Sequence, residues 1–173
     1  MIDYAAADPF ELYRLFKAGD ESAFKALYDR LSPGLYNYLC RLLGDVHRAE
    51  DVLIESFIKL TQSNLDGPGN VRAWLYRVAT NQCYKWFRKN REVCLADGFP
   101  EPESGDKPRD ILRENNVQRM LSGLPEAQRV VVVLKFFEEM SYPEIAGVLC
   151  IPLGTVKSRM HDGLSRLRKM LKK

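Results

Sequence analysis

The chain has 173 residues, 46% of them hydrophobic and 28% charged, enough apolar material for one large core or two compact ones of roughly 60 to 90 residues each. Its net charge of +3 is too small to argue for or against a polyanionic partner, so that question passes to where the charges lie along the chain. No apolar run approaches the ~20 residues that cross a bilayer, and Met1 to Asp8 lacks a basic, apolar signal pattern, so a cytoplasmic location is expected.

Apolar residues recur at helical spacing almost throughout, and no run alternates as a strand would, so an all-α fold is expected. Asp20 can cap a helix whose apolar positions are Phe24, Leu27 and Tyr28. Ser32 followed by Pro33 reads as the N-cap and first turn of another helix, ended by Gly44. A longer helix is predicted from about Val46 to Gln62, with Val46, Ala49, Leu53, Phe57 and Leu60 on its core face. Its opposite face carries Asp51, Glu55, Ile58 and Gln62, with Ile54 at the flank. That face is either solvated with stray apolar residues or a docking surface.

Ser63 to Asn70 (SNLDGPGN) is too rich in Gly, Pro and short polar residues for a helix interior and is predicted to be a loop. Val71 to about Arg91 resumes as a helix with Leu75, Val78, Ala79 and Cys83 facing inward. Residues 71–91 hold six Lys or Arg and no carboxylate, interleaved with Trp74, Tyr76, Tyr84, Trp86 and Phe87. Aromatic faces stack on unpaired bases at ~1–3 kcal/mol each while cations follow the phosphate backbone, which suits a single strand better than a duplex. The alternative is that the aromatics, Trp74 and Tyr76 above all, pack in the core. Residues 92–110 then carry six carboxylates against two basic side chains, with Gly98, Pro100, Pro102, Gly105 and Pro108. Too few apolar residues remain there to offset the chain entropy, so a flexible acidic linker is expected between a domain over 1–91 and another over 111–173.

The second domain opens with Val117, Met120 and Leu121 and continues through the strongly apolar Val130 to Phe137. Ser141-Tyr142-Pro143-Glu144 has the spacing of a capping box and so starts a short helix, with Ile145, Ala146 and Leu149 on its inner edge. Cys150 to Pro152 break it, and a second helix resumes near Leu153 to Thr155. Val156, Met160, Leu164, Leu167 and Leu171 fix the buried stripe of that helix, leaving Thr155, Lys157, Ser158, Arg159, His161, Arg166 and Lys169 outward. Residues 155–173 hold seven Lys or Arg against Asp162 alone. A short helix, a tight turn and a cationic second helix make a helix-turn-helix that can enter a major groove; a solvated amphipathic hairpin has the same pattern.

Four cysteines (Cys40, Cys83, Cys94, Cys150) lie far apart with only His47 and His161 as companions, so no metal site or disulfide framework is indicated and buried, reduced thiols are expected. No cofactor is implied. With no H-E-x-x-H, no phosphate-cradling glycine loop and no Ser, His and acid set, an enzyme is not expected.

Leu124-Pro125-Glu126, the apolar run to Phe137 and then SYPEIAGVLCIPLGTVKSRMHDGLSRLRKML, with GTVKSR at 154–159 most characteristic, closely resemble region 4 of sigma-70 family RNA polymerase sigma factors, of the small extracytoplasmic-function (ECF) type. The resemblance implies that Thr155, Lys157, Ser158 and Arg159 read the minus 35 promoter element and that Arg166 touches phosphate. Cys150 stands where the family usually has glycine. Ala49-Glu50-Asp51 through Glu55-Ser56-Phe57 is similar to the family's region 2 signature, which implies that Asp51, Ile54, Glu55 and Ile58 dock on core RNA polymerase; Ile54 replaces the usual glutamine. Residues 71–91 are similar to the segment that recognises and melts the minus 10 element. By that resemblance Asn64, Asn70, Asn81, Lys85, Trp86 and Arg88 form a single-strand site, with Lys85 where relatives often have an acid. The implied partners are core polymerase, promoter DNA and an anti-sigma factor that restrains the chain. The alternative, a stand-alone helix-turn-helix regulator of duplex DNA, accounts for the second domain only.

Overall fold

In a computed structural model of the chain, residues 4–65, 70–96 and 111–172 are described, with side chains described outside 90–96 and 111–115. Eight helices and no strand occur among the described residues: α1 (Pro9–Lys17), α2 (Glu21–Leu43), α3 (Val46–Gln62), α4 (Val71–Ala96), α5 (Ile111–Ser122), α6 (Glu126–Phe136), α7 (Tyr142–Leu149) and α8 (Leu153–Leu171). The all-α expectation holds. Part of the predicted loop, residues 66–69, and the predicted linker over 97–110 lie outside the described residues, as does Cys94 with respect to its side chain. Helix α4 continues to Ala96, past the expected end near Arg91.

The first half is built on α1 to α4. Asp8 caps α1 by accepting from the backbone N–H of Phe10 and Glu11, with Pro9 in the first turn. This helix was not anticipated from the sequence. It buries Leu12 and Tyr13 and fastens the chain leaving α3: the Tyr13 hydroxyl donates to Ser63 O at 2.7 Å and accepts from Leu65 N–H at 3.2 Å. Lys17 Nζ adds bonds to the carbonyls of Thr61 and Ser63 at 3.2 and 3.0 Å.

Helix α2 corrects the predicted break at Ser32-Pro33. It runs unbroken from Glu21 to Leu43 with Pro33 inside. Ala23 and Leu27 before the proline share one buried face with Leu35, Tyr38, Leu39 and Leu42 after it, so burial outweighs the ~3 kcal/mol that an interior proline costs. Gly44 ends the helix in the left-handed region at φ 68°, as its position predicts. On α3, Ala49, Leu53, Phe57 and Leu60 are buried as expected, but Val46 is exposed because it sits in the first turn, ahead of the point where α2 covers the helix. Phe24 and Tyr28 pack their rings on Phe57 at 6.4 and 4.7 Å. Tyr38 and Thr80 share a buried hydroxyl hydrogen bond of 2.6 Å between α2 and α4.

In the second half α6 is the central rod. Val130, Val131, Val132, Val133 and Leu134 are all buried, which takes cover on every side. Helices α7 and α8 provide part of it, and α2 and α4 of the first half provide the rest. The buried stripe of α8 holds at Val156 and Met160, weakens at Leu164 and Leu167, and fails at Leu171, which is 71% exposed. The two halves meet along α2·α5, α2·α6, α4·α6 and α4·α7.

Candidate nucleic-acid interface

Two outward surfaces carry the predicted sites. The first is α4 with the chain before it. Asn70 caps α4 by accepting from Ala73 N–H at 3.0 Å, so one predicted base-contacting side chain also starts the helix. Asn64, Asn70, Asn81, Lys85 and Arg88 are exposed. Trp86 is half-buried, its ring edge-on to Phe87 at 5.4 Å. Asn81, Lys85 and Arg88 recur at helical spacing and share one side of α4, while Leu75, Ala79, Thr80 and Cys83 fill the other. Burial pushes the Cys83 thiol up to about 12, so that cysteine is an inert core group.

The aromatics divide in a way the sequence leaves open. Tyr76 is buried and Trp74 is half-buried. Trp74, Asn64, Asn70 and Arg77 face Met140 and Val148 of the second half across a cleft of about 500 Å³. The Tyr84 hydroxyl pKa is raised by burial, with the charge of Arg159 opposing the shift.

The second surface is α7 and α8. Ser141 accepts from Glu144 N–H at 3.4 Å while the Glu144 carboxylate accepts from Ser141 N–H at 2.7 Å and from its hydroxyl at 2.6 Å, completing the predicted capping box. These bonds hold the Glu144 carboxyl below the usual carboxylate range. Cys150 closes α7 in the left-handed region at φ 52° and is exposed, which corrects the expectation of a buried thiol: at that turn the side chain points outward. Cys40 is only partly buried. Lys157, Ser158 and Arg166 are exposed, and Thr155 and Arg159 are half-buried. Ser158 Oγ donates to Thr155 O at 3.1 Å. No side chain caps the start of α8, whose N–H groups lie beside these residues and favour an anion.

The predicted polymerase-docking residues form a third patch. Ile54 and Ile58 are 54% and 49% exposed, one turn apart on α3, and Asp51 and Glu55 flank them. Asp51 pairs loosely with Arg48 at 3.4 Å and Glu55 with Lys59 at 2.7 Å. Gln82 is a functional residue that no local sequence pattern points to. With its amide oriented by its neighbours, it donates to the Glu55 carboxylate at 2.5 and 3.0 Å and accepts from Ser56 Oγ at 2.9 Å, tying this patch to α4. Among the described residues no group of three or more His, Cys, Asp or Glu is placed to hold a metal ion. No helix among them is long and apolar enough to cross a membrane.

Comparison with known proteins covers both halves. Residues 27–93 match the family "Sigma-70 region 2" and residues 114–167 match "Sigma-70, region 4". The chain is 35% identical to the ECF RNA polymerase sigma factor SigW of Bacillus subtilis, over 90% of this chain and 92% of that one. Its fold is similar to the sigma factor RpoE in complex with the anti-sigma factor NepR from Bartonella quintana, at TM-score 0.73 and 27% identity over 86% of this chain and 96% of that one. It also resembles CnrH, solved in complex with the cytosolic domain of CnrY, at TM-score 0.69 and 24% identity over 98% of each chain, a likeness of fold. Since matches span both halves, a regulator built on the second half alone is not favoured.

Proposed function

This chain belongs to the extracytoplasmic-function family of RNA polymerase sigma factors, subunits that direct the polymerase to promoters for initiation, and from that premise we propose a division of labour between its halves. Residues 1–91 form the domain that holds core polymerase and the minus 10 element, 92–110 the tether, and 111–173 the domain that reads the minus 35 element. Thr155, Lys157, Ser158 and Arg159 take the base edges of the duplex, with Arg166 on a phosphate. Asn64, Asn70, Asn81, Lys85, Trp86 and Arg88 take the unpaired strand, Trp86 by stacking and the cations by following its backbone. Asp51, Ile54, Glu55 and Ile58 dock on the polymerase. An anti-sigma factor is a further partner, and the chain acts in the cytoplasm as a non-enzymatic subunit.

The observation that carries this reading is the exposed row Asn81, Lys85 and Arg88 with half-buried Trp86 on α4, in the same chain as a capped helix-turn-helix. A duplex-binding regulator has no use for that row. In vitro transcription with core polymerase at matched salt tests it. Arg159→Ala is expected to weaken promoter binding by about 1–3 kcal/mol. Asp51→Ala, which gives up only a loose surface pair worth ~0–1 kcal/mol, is expected to lower polymerase association and leave the melting temperature unchanged. Unchanged open-complex yield with both variants would remove these assignments.

A further inference from the structure

Tyrosines aside, the polar residues buried among the described ones are Ser56, Thr80 and Gln82. Thr80 is paired inside the core, with the Tyr38 hydroxyl. Ser56 and Gln82 form a second polar line, between α3 and α4, and that line runs out to the surface at Glu55 of the docking patch. Gln82 is 7% exposed and follows Leu75 and Ala79 on the inward side of α4, a phase at which a helix takes apolar side chains. Its amide is not there for the sake of Ser56. The Ser56 hydroxyl has an acceptor of its own in the Val52 carbonyl at 2.7 Å, and a buried polar contact contributes little that apolar groups of the same shape would not. What Gln82 alone supplies is a buried donor for the Glu55 carboxylate.

The carboxylate is gripped from two sides that differ in kind. From α4 the Gln82 amide nitrogen stands 2.5 and 3.0 Å from its two oxygens, and from the solvent side Lys59 Nζ reaches Oε1 at 2.7 Å. The lysine bond is a surface i,i+4 pair, weak and screened by salt, which an incoming cation can replace. The amide bond is charge-assisted and comes from a side chain that packing holds still. An ordinary exposed glutamate loses its rotamer freedom when it docks, whereas Glu55 has lost it on folding. Its neighbours in the patch, Ile54 and Ile58, are 54% and 49% exposed, so the set carboxylate lies beside the apolar surface that docking covers.

We propose that Gln82 is a positioning residue for polymerase docking: from α4 it fixes the Glu55 carboxylate on α3, so that the patch meets a cationic group of core polymerase with its acid already set. The proposal rests on the docking assignment made above. Gln82 itself touches no partner, being buried, and acts through Glu55. Removing its amide leaves Glu55 charged and exposed but free to turn, and ordering one such side chain at an interface weakens association about three- to tenfold. Gln82 lies between Asn81 and Lys85 of the strand row, so one helix sets the docking acid and carries the strand site.

The test measures the affinity of the full chain for core RNA polymerase, at fixed salt, through a double-mutant cycle of Gln82→Met and Glu55→Ala. Methionine keeps the length of the side chain and suits an apolar gap, so circular dichroism and thermal unfolding should show helix content kept and a melting temperature no lower than that of the wild type. Alone, Gln82→Met should lower the affinity about three- to tenfold. In the Glu55→Ala background it should lower it no further, because no carboxylate remains to be positioned. Thr80→Val, which disturbs the other buried polar pair, should lower the melting temperature and leave the affinity unchanged. Equal losses from Gln82→Met in both backgrounds, or an equal loss from Thr80→Val, would reduce Gln82 to packing between α3 and α4 and overturn the proposal. So would full affinity of Gln82→Met where Glu55→Ala binds less tightly. If methionine prevents folding, Gln82→Asn, whose amide is one methylene too short for Glu55, is read in the same cycle. Glu55→Ala binding as tightly as the wild type is a different failure: it removes the docking assignment itself and the proposal with it.

Discussion

Gly163 tests how α8 is seated, because two calculable effects oppose each other there. The residue is buried inside α8, and an added Cβ would lie 3.1 Å from Val132 Cγ2 and 3.5 Å from Gln128 Cβ on α6. Alanine gains about 1 kcal/mol over glycine in a helix interior. Overpacking costs about 1–3 kcal/mol, and Val132 has little freedom to yield, being 3% exposed and held to one preferred helical rotamer. Gly163→Ala should therefore destabilise, by about 1 kcal/mol. Val132→Ala costs about 2 kcal/mol for its two methyl groups, yet in that background Gly163→Ala should stabilise by about 1 kcal/mol. The coupling of about 2 kcal/mol lies well outside the ~0.3–0.5 kcal/mol seen for independent sites. Urea unfolding of the four proteins measures it. If Gly163→Ala stabilised equally in both backgrounds, α8 would have room to spare and the glycine would not set the distance at which α6 presents it.

Ser141→Ala removes the hydroxyl that accepts from Glu144 N–H and donates to its carboxylate, leaving the backbone N–H of residue 141 on that carboxylate, and should cost about 1 kcal/mol in urea unfolding at neutral pH. Because the native Glu144 pKa is depressed, that contribution is present above the ordinary carboxylate pKa and is lost as pH falls through the lowered native value, so the gap between variant and wild type should close on acidification. Cys150→Gly relieves a non-glycine residue at φ 52° and should raise the urea midpoint, by about 1 kcal/mol in stability; a lower midpoint would contradict the turn geometry. Thr80→Val leaves the buried Tyr38 hydroxyl without its partner and should cost about 1–3 kcal/mol, whereas Tyr38→Phe, after which Thr80 Oγ1 still donates to Tyr76 O, should cost nearer 1 kcal/mol; equal losses would show that the unpaired hydroxyl is not what matters.

What the sequence shows well is whatever repeats within a few residues. The core faces of α3 and α4, apart from exposed Val46 and half-buried Val78, the capping box at Ser141 and the helix end at Gly44 are local patterns of apolar spacing or hydrogen-bonding chemistry, and these are found where they are expected. The failures are cases where a distant surface decides. Pro33 reads as a break because its local cost is plain, while the stripe that overrides it is defined by α3 and α4. Helix α1 carries a short cap signal, Asp8-Pro9, ahead of too brief an amphipathic run to stand alone. Of the site residues, Asn64, Asn70, Asn81, Lys85, Arg88, Asp51, Ile54 and Ile58 are exposed as a binding role requires, which residue type and helical phase already suggest. Gln82 reaching Glu55, and Glu138 reaching Arg72 and Tyr76 across 66 and 62 positions, leave no local trace.

One trace of the packing between the halves was nonetheless present in the sequence. Five consecutive apolar residues, Val130 to Leu134, give α6 no polar side, and a helix of that kind is stable only with cover all round. Helices α7 and α8 cannot surround it, so α2 and α4 complete the enclosure. Drawing the halves apart therefore uncovers apolar surface on α6, at roughly 25 cal/mol per Å².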